Sequence, residues 1–271
     1  RPALLYLPTM TPHTPLRAPE HWVEFHQQRG LTGELAVLYG MVSYLDEQIG
    51  RLVTKLADMG QLENSLIVFT SDNGPAINRG QLSDRERSLR KSSARRGWKG
   101  DLWENGVRAP LLIHWPAQLE PGLTSRPLDQ VDLLPSLLGW CHLEWPADFP
   151  MMDGQSWGRH PEVLLDPEEA APVTFNYVHP GWITNERPWT PAGLPGEYRP
   201  LDPEERSGLA LHNMPVSVRE GRHKLLYNPF PPEANEAGQH LLIDLYEDPG
   251  ETTDLSEALP EVTARLKRQL K

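Results

Sequence analysis

The chain predicts an α/β fold: a mainly parallel central sheet flanked by helices, followed by a smaller C-terminal α+β subdomain. Three observations carry this. Apolar runs of strand length alternate with runs of helical period through residues 3–140. After about residue 170 a Pro-rich stretch gives way to two strand-like runs and a final amphipathic segment. The 28 Pro and 21 Gly of the 271 residues point to long, ordered loops between elements. The expected division is residues 1–170 for the α/β part and 171–271 for the subdomain.

"ALLYLP" (3–8) reads as a buried strand, followed by the Pro-punctuated loop "TMTPHTPLRAP". Leu35, Leu38, Val42, Leu45, Ile49, Leu52 and Leu56 recur at helical spacing, predicting a helix over 34–59 with Gly60 as its C-terminal cap. "NSLIVFT" is the next strand, residues 79–99 a long basic loop, and "VRAPLLIHWP" (107–116) a further strand closed by Pro116. "LDQVDLLPSLLGW" (128–140) is a short helix that tolerates Pro135 near its first turn. "PVSVREGRHKLLYN" forms a hairpin turning at "EGRH", "QHLLIDLYEDPGE" is another strand, and "LPEVTARLKRQL" is an amphipathic helix.

Composition narrows the function. A net charge of -11 argues against general nucleic-acid binding. A single Cys excludes an internal disulfide and a thiolate metal cage. No apolar run approaches the roughly 20 residues of a membrane span. The opening "RPALLYLP" has no Met and no signal pattern and reads as a strand inside a domain, so a preceding segment is expected. Charge is uneven: residues 79–99 hold eight basic side chains against Asp84 and Glu86, which is +6 there and -17 over the remainder. That loop is either a solvated face or a device that draws in an anion.

Chemistry concentrates in a few stretches. "FTSDNG" (69–74) ends a strand with Asp72, Asn73 and Gly74, a combination that serves a turn or a metal site. His13 stands between two prolines in "TPHTPL", on a stiff loop. In "GWKGDLWENGVR", Gly97 and Gly100 bracket Trp98 and Lys99, so the lysine meets an oxyanion without crowding. Glu104 and Arg108, at i and i+4, brace the loop. "GQSWG" (154–158) matches a nucleophile elbow in letters, but it lacks the strand before and helix after that the elbow needs. Cys141 reads as an inert, buried small hydrophobe.

Taken in order, "LLYLPTMTPHTPLRAPEHW", "YGMVSYLDEQIGRLVTKLADMGQLENSLIVFTSDNG", "GWKGDLWENGVRAPLLIHWP", "VDLLPSLL", "DGQSW" and "LLIDLYEDPGETTDLSE" resemble the type I sulfatases of the alkaline phosphatase superfamily. The resemblance implies an alkaline-phosphatase-like sheet and hydrolysis of a sulfate ester. It implies Asp72 and Asn73 as ligands of a divalent cation, Ca²⁺ with Mg²⁺ as the alternative, since oxygen ligands suit a hard cation. It also implies Lys99 as a sulfate contact and His13 as a sulfate donor that assists the leaving group. The family's formylglycine nucleophile, made from C/S-x-P-x-R, has no counterpart here, because Cys141 is followed by "HLE". Two of the four implied protein metal ligands are present. Asn105 replaces a family glycine, a change that should be tolerated because asparagine accepts left-handed backbone geometry.

The competing readings are a phosphonate or phosphate ester hydrolase of the same superfamily and a non-catalytic sulfatase-like binding protein. The implied partner is a sulfated small molecule or sulfated carbohydrate, with Trp182 and Trp189 of the Pro-rich loop as stacking candidates; nothing in the sequence specifies oligomeric state. The resemblance implies an exported, periplasmic or lysosomal setting, although no signal is visible in this sequence. Lacking the nucleophile motif, the 271-residue chain alone is expected not to turn over an aryl sulfate. A chromogenic aryl-sulfate assay on the purified chain checks this, and turnover would refute it.

Overall fold

The computed structural model describes residues 2–76, 83–89, 95–148, 150–165, 173–177, 215–228 and 239–270. Two compact units emerge. The first comprises Arg1–Leu66, Leu82–Arg90 and Trp115–Ala117, and the second Ile67–Gln81, Lys91–His114 and Gln118–Lys271.

In the first unit, helix α1 (Glu20–Gln27) lies along helix α2 (Gly33–Asp58). Trp22 Nε1 donates to Glu47 at 2.9 Å, and His26 Nε2 meets Ser43 Oγ at 2.8 Å. As α1 advances its partners on α2 recede, so the pair is antiparallel. The predicted stripe is only half buried. Leu35, Ala36, Gly40 and Met41 are covered, whereas Val42 is 47% exposed. α2 ends as its sequence suggests: Gly60 N–H donates to Ala57 O and Gln61 N–H to Leu56 O, both at 2.9 Å, a Schellman closure.

Residues 3–8 are not a buried strand. Leu4 is 93% and Tyr6 82% exposed, and the segment has no strand assignment. A strand needs a neighbour for its backbone groups, and among the described residues none pairs with it. The basic stretch also departs from a plain loop, because it contains helix α3 (Asp84–Leu89). Ser83 and Glu86 form a capping box around its first turn: Ser83 N–H and Oγ donate to Glu86 at 3.0 and 2.7 Å. Thr32 Oγ1 adds a third donor at 2.9 Å.

In the second unit, β1 (Ile67–Thr70) pairs with β2 (Leu111–His114), with Thr70 opposite Leu111 and Ile67 opposite His114. The pairing is antiparallel, against the expected parallel order. The chain leaves β1 at Thr70 and enters β2 at Leu111, directly opposite it, so the two strands run in opposite directions. Between them lies the short helix α4 (Glu104–Val107). Helix α5 (Leu133–Trp140) follows a 3₁₀ turn, and Pro135 sits in its first turn, where its missing N–H is not needed.

The C-terminal sheet is a four-stranded antiparallel meander, β3 (Val173–Tyr177), β4 (Val216–Glu220), β5 (His223–Asn228) and β6 (Gln239–Asp244), in that spatial order. Gly221 and Arg222 make the predicted two-residue turn, with Glu220 opposite His223. Helix α6 (Pro260–Gln269) presses Leu266 onto Val218, Leu225 and Leu242, all essentially fully buried. Its first residue is Pro260, the favoured place for proline in a helix.

Glu86 supplies a pH test. Hydrogen bonds, above all from Ser83, hold its carboxyl at about 2, below its ordinary 4.5. A depressed folded-state pKa gives stability that is present above the unfolded value and is lost as pH falls through the folded one. The melting temperature is therefore expected to drop between about pH 4.5 and 2. Glu86→Gln should flatten that part of a pH–melting curve, and an unchanged slope would count against the clasp.

Candidate functional site

The site is built around the C-terminal end of β1. Thr70 Oγ1 donates to Pro110 O at 2.8 Å, tying the end of β1 to the entry of β2. Gln130 Nε2 donates to Ser71 O, which fixes the start of α5 against the same strand end. Asp72 is exposed, and Ser71 Oγ reaches its carboxylate only at 3.5 Å. Asn73 donates through Nδ2 to Gly74 O at 2.7 Å, which commits the amide nitrogen and leaves Oδ1 as its acceptor side. The next residue has to be glycine. A Cβ on Gly74 would lie 1.8 Å from Asn105 O, and Gly74 N–H donates to Gly106 O at 2.8 Å.

That close approach brings the lysine segment to the strand end. Lys99 N–H donates to Pro75 O at 2.7 Å. Gly97 and Gly100, with φ of +84° and +91°, turn the chain on both sides of Trp98 and Lys99. Asp101 Oδ2 accepts from Trp98 N–H at 2.9 Å, closing the turn. Asn105 makes no use of the left-handed geometry asparagine tolerates; it lies in the right-handed turn of α4. Its role is to close the loop. Its N–H donates to Arg96 O at 2.8 Å and its Nδ2 to Gly97 O at 2.9 Å.

Glu104 departs from the expected brace with Arg108. Its Oε1 accepts from Lys224 Nζ on β5 at 3.0 Å, and Arg219 on β4 lies 3.7 Å from Oε2. Lys224 also donates to Glu251 Oε1 at 3.1 Å, and Glu251 Oε2 accepts from Glu104 N–H at 2.7 Å. The lysine is 1% exposed and Glu251 0%. Burial alone would raise the pKa of Glu104, yet Lys224 and Arg219 outweigh it and hold the group below its ordinary value. Burial dominates at Glu251 and, with the neighbouring Glu104 charge, pushes it up. Sequence reading missed this cluster, although a lysine inside the apolar run "HKLLY" was a signal that it needed a buried counterion.

Asp72, Asn73 and Lys99 line one cleft of about 720 Å³ in the second unit. Six basic side chains against four acidic ones line it, a local surplus of positive charge in a chain of net charge -11. Arg95, Arg108 and Arg126 belong to that lining; from sequence, Arg108 has only a bracing role and Arg126 is not singled out. His13 belongs to the first unit, exposed on its loop, with Nδ1 3.0 Å from Thr14 O. The structure thus brings together three of the four candidate residues. The two oxygen donors at the strand end suit a hard cation in kind. Among the described residues no group of three or more His, Cys, Asp or Glu is placed to hold a metal.

The remaining motifs resolve structurally. In "GQSWG", Ser156 Oγ donates to Gly158 O at 2.9 Å, and Trp157 N–H donates to Ser136 Oγ at 2.8 Å, so the segment is a dock for α5. Cys141 is exposed rather than buried, because it falls at the C-terminal cap of α5. Trp182 and Trp189 lie outside the described residues.

Comparison with solved structures defines the class. The structure titled "Crystal structure of Ps i-CgsB in complex with k-i-k-neocarrahexaose" superimposes with a TM-score of 0.67 at 21% identity, covering 96% of this chain and 47% of that one. The fold is α/β of the alkaline phosphatase kind. The sulfatase family profile matches residues 1–143, and the chain belongs to the sulfatase family. Human arylsulfatase A is 28% identical over 99% of this chain and 48% of its own length. The N-acetylgalactosamine-6-O-sulfatase of Bacteroides thetaiotaomicron is 25% identical over 99% of this chain and 46% of its own. The chain thus spans about half the length of these curated relatives.

The contact at Gly74 is directly testable. Gly74→Ala must force Asn105 O away, and overpacking of this kind costs about 3 kcal/mol at the upper end of its range. Urea unfolding of the variant is expected to show a loss of that order. A loss under about 0.5 kcal/mol, the scale of an indifferent surface change, would mean that the strand end and the lysine loop are not in register.

Proposed function

We propose that the protein is a sulfuric ester hydrolase acting on a sulfated carbohydrate, and that this chain supplies its sulfate-binding lysine and part of its cation site. The observation that carries the reading is the convergence of Asp72, Asn73 and Lys99 in one positively lined cleft, locked by the Gly74–Gly106 and Lys99–Pro75 hydrogen bonds. The sugar preference draws on the relatives, one named for a 6-O-sulfated N-acetylgalactosamine and one solved with a carrageenan-type oligosaccharide.

Lys99 Nζ is a compact cationic donor whose charge complements a sulfuryl oxygen and the charge that grows there in the transition state. Asp72 and Asn73 Oδ1 would hold the divalent cation, Ca²⁺ in this reading, which supplies Lewis-acid polarisation of the sulfate when bound. In the neutral ring of His13, Nδ1–H donates to Thr14 O, which leaves Nε2 as the working nitrogen. The 271 residues contain no C/S-x-P-x-R nucleophile motif, so the reading gives this chain binding and charge neutralisation rather than the nucleophile.

A charge-assisted hydrogen bond is worth about 1.5–3 kcal/mol, so Lys99→Ala should weaken binding of inorganic sulfate roughly 10- to 100-fold by calorimetry. Asp72→Ala should abolish any Ca²⁺-dependent rise in melting temperature while leaving the metal-free fold intact. Equal sulfate affinity in wild type and Lys99→Ala would sink the assignment of Lys99. Failure of a sulfated galactosamine disaccharide to compete with sulfate would remove the carbohydrate.

A further inference from the structure

The loop that carries Lys99 is held at both flanks by one residue of the C-terminal region. On its N-terminal side, Arg96 Nη1 donates to the backbone carbonyl of Glu251. On its C-terminal side, Glu104 N–H donates to Glu251 Oε2 at 2.7 Å, while Lys224 ties Glu251 Oε1 to the Glu104 carboxylate. Arg96 also stacks on Trp103, with its guanidinium carbon 3.9 Å from the ring centroid. Glu251 is wholly buried and adopts φ +55°, a left-handed conformation that a non-glycine residue holds only where its surroundings enforce it. The turn enforcing it is self-braced: Glu251 N–H donates to Asp248 O at 3.1 Å, and Thr252 and Thr253 N–H donate to Asp248 Oδ2 at 2.6 and 2.7 Å.

We propose that Glu251, with Lys224 behind it, is a positioning residue for the sulfate site: it clasps the 96–104 loop from both sides and so sets where Lys99 stands in the cleft. The C-terminal subdomain thereby acts on the anion site through Lys99, without touching the anion through Glu251. The inference rests on the sulfate reading for its ligand but not for its geometry, and the test separates the two.

The experiment uses the full 271-residue chain, with Glu251→Gln as the main variant and Arg96→Lys, which releases only the N-terminal side of the clasp, as the second. Hydrogen exchange is followed at the 97–103 amides and at Leu225 and Leu242 of the sheet core, beside calorimetric titration with inorganic sulfate. Glu251→Gln is expected to speed exchange at 97–103 about tenfold, leave the sheet amides unchanged, and weaken sulfate binding about tenfold. Arg96→Lys should give a smaller change of the same sign, and it decides the matter if Glu251→Gln does not fold. Unchanged loop exchange, an equal rise in the sheet core, or a loosened loop with undiminished sulfate affinity would each overturn the clasp. If the wild type binds no sulfate, the sulfate reading fails, and exchange at 97–103 alone decides whether Glu251 positions the loop.

Discussion

The second unit depends on one ammonium group. Lys224 Nζ sits between the carboxylates of Glu104 and Glu251, 3.0 and 3.1 Å away, with essentially no water access. Such a group is a poor source of net stability, because desolvating three charges offsets most of their attraction. Its consequence is geometric. Removing Lys224 would leave two buried carboxylates without the cation they share, a penalty of about 3–5 kcal/mol. The loop bearing Glu104 and the sheet bearing Lys224 are therefore held to a single arrangement. An apolar contact would hold them together but would tolerate a slide of an ångström or two, whereas ion pairs at 3.0 and 3.1 Å do not.

A second constraint complements the first. Gly74 and Asn105 O approach too closely for any side chain to stand between them. The strand end carrying Asp72 and Asn73 is thereby pressed onto the far side of the same α4 turn that Lys224 and Glu251 grip. The turn of four residues is thus held from two directions, once by shape and once by charge. Trp157 and Ser136 do comparable work for α5, which is how "VDLLPS" and "DGQSW" come to be packed together.

Much of this was legible in the sequence, and what was not has physical reasons. The long helix α2, the strand–turn ends around 67–74 and the meander of the subdomain follow from periodicity and turn chemistry, which are local. Strand direction is not local: β1 and β2 each looked like a strand, but only the path between them makes the pair antiparallel. Residues 3–8 show the converse failure, since an apolar run states a preference for burial without saying where a partner is. At Asn105 the letter permits left-handed geometry while its neighbours require a helical turn. The Lys224–Glu104–Glu251 cluster spans three distant segments, and sequence showed only a lysine where an apolar residue was due.

The acidic residues around the cleft differ in how the fold engages them. Four acidic side chains line it. Asp101 is engaged by the Trp98 amide, Asp129 accepts from Val131 N–H at 3.3 Å as the cap of the turn before α5, and Glu104 belongs to Lys224. Each is oriented by the fold, so none can turn toward a ligand without releasing a loop. Among the described residues Asp72 has only the distant Ser71 hydroxyl, at 3.5 Å, and it stands exposed at the strand end beside Asn73 Oδ1. A carboxylate with so little structural work, next to basic side chains that already favour an anion, is poorly explained as a turn residue. With Asn73 Oδ1 it presents two oxygen acceptors at the strand end, beside the basic lining of the cleft.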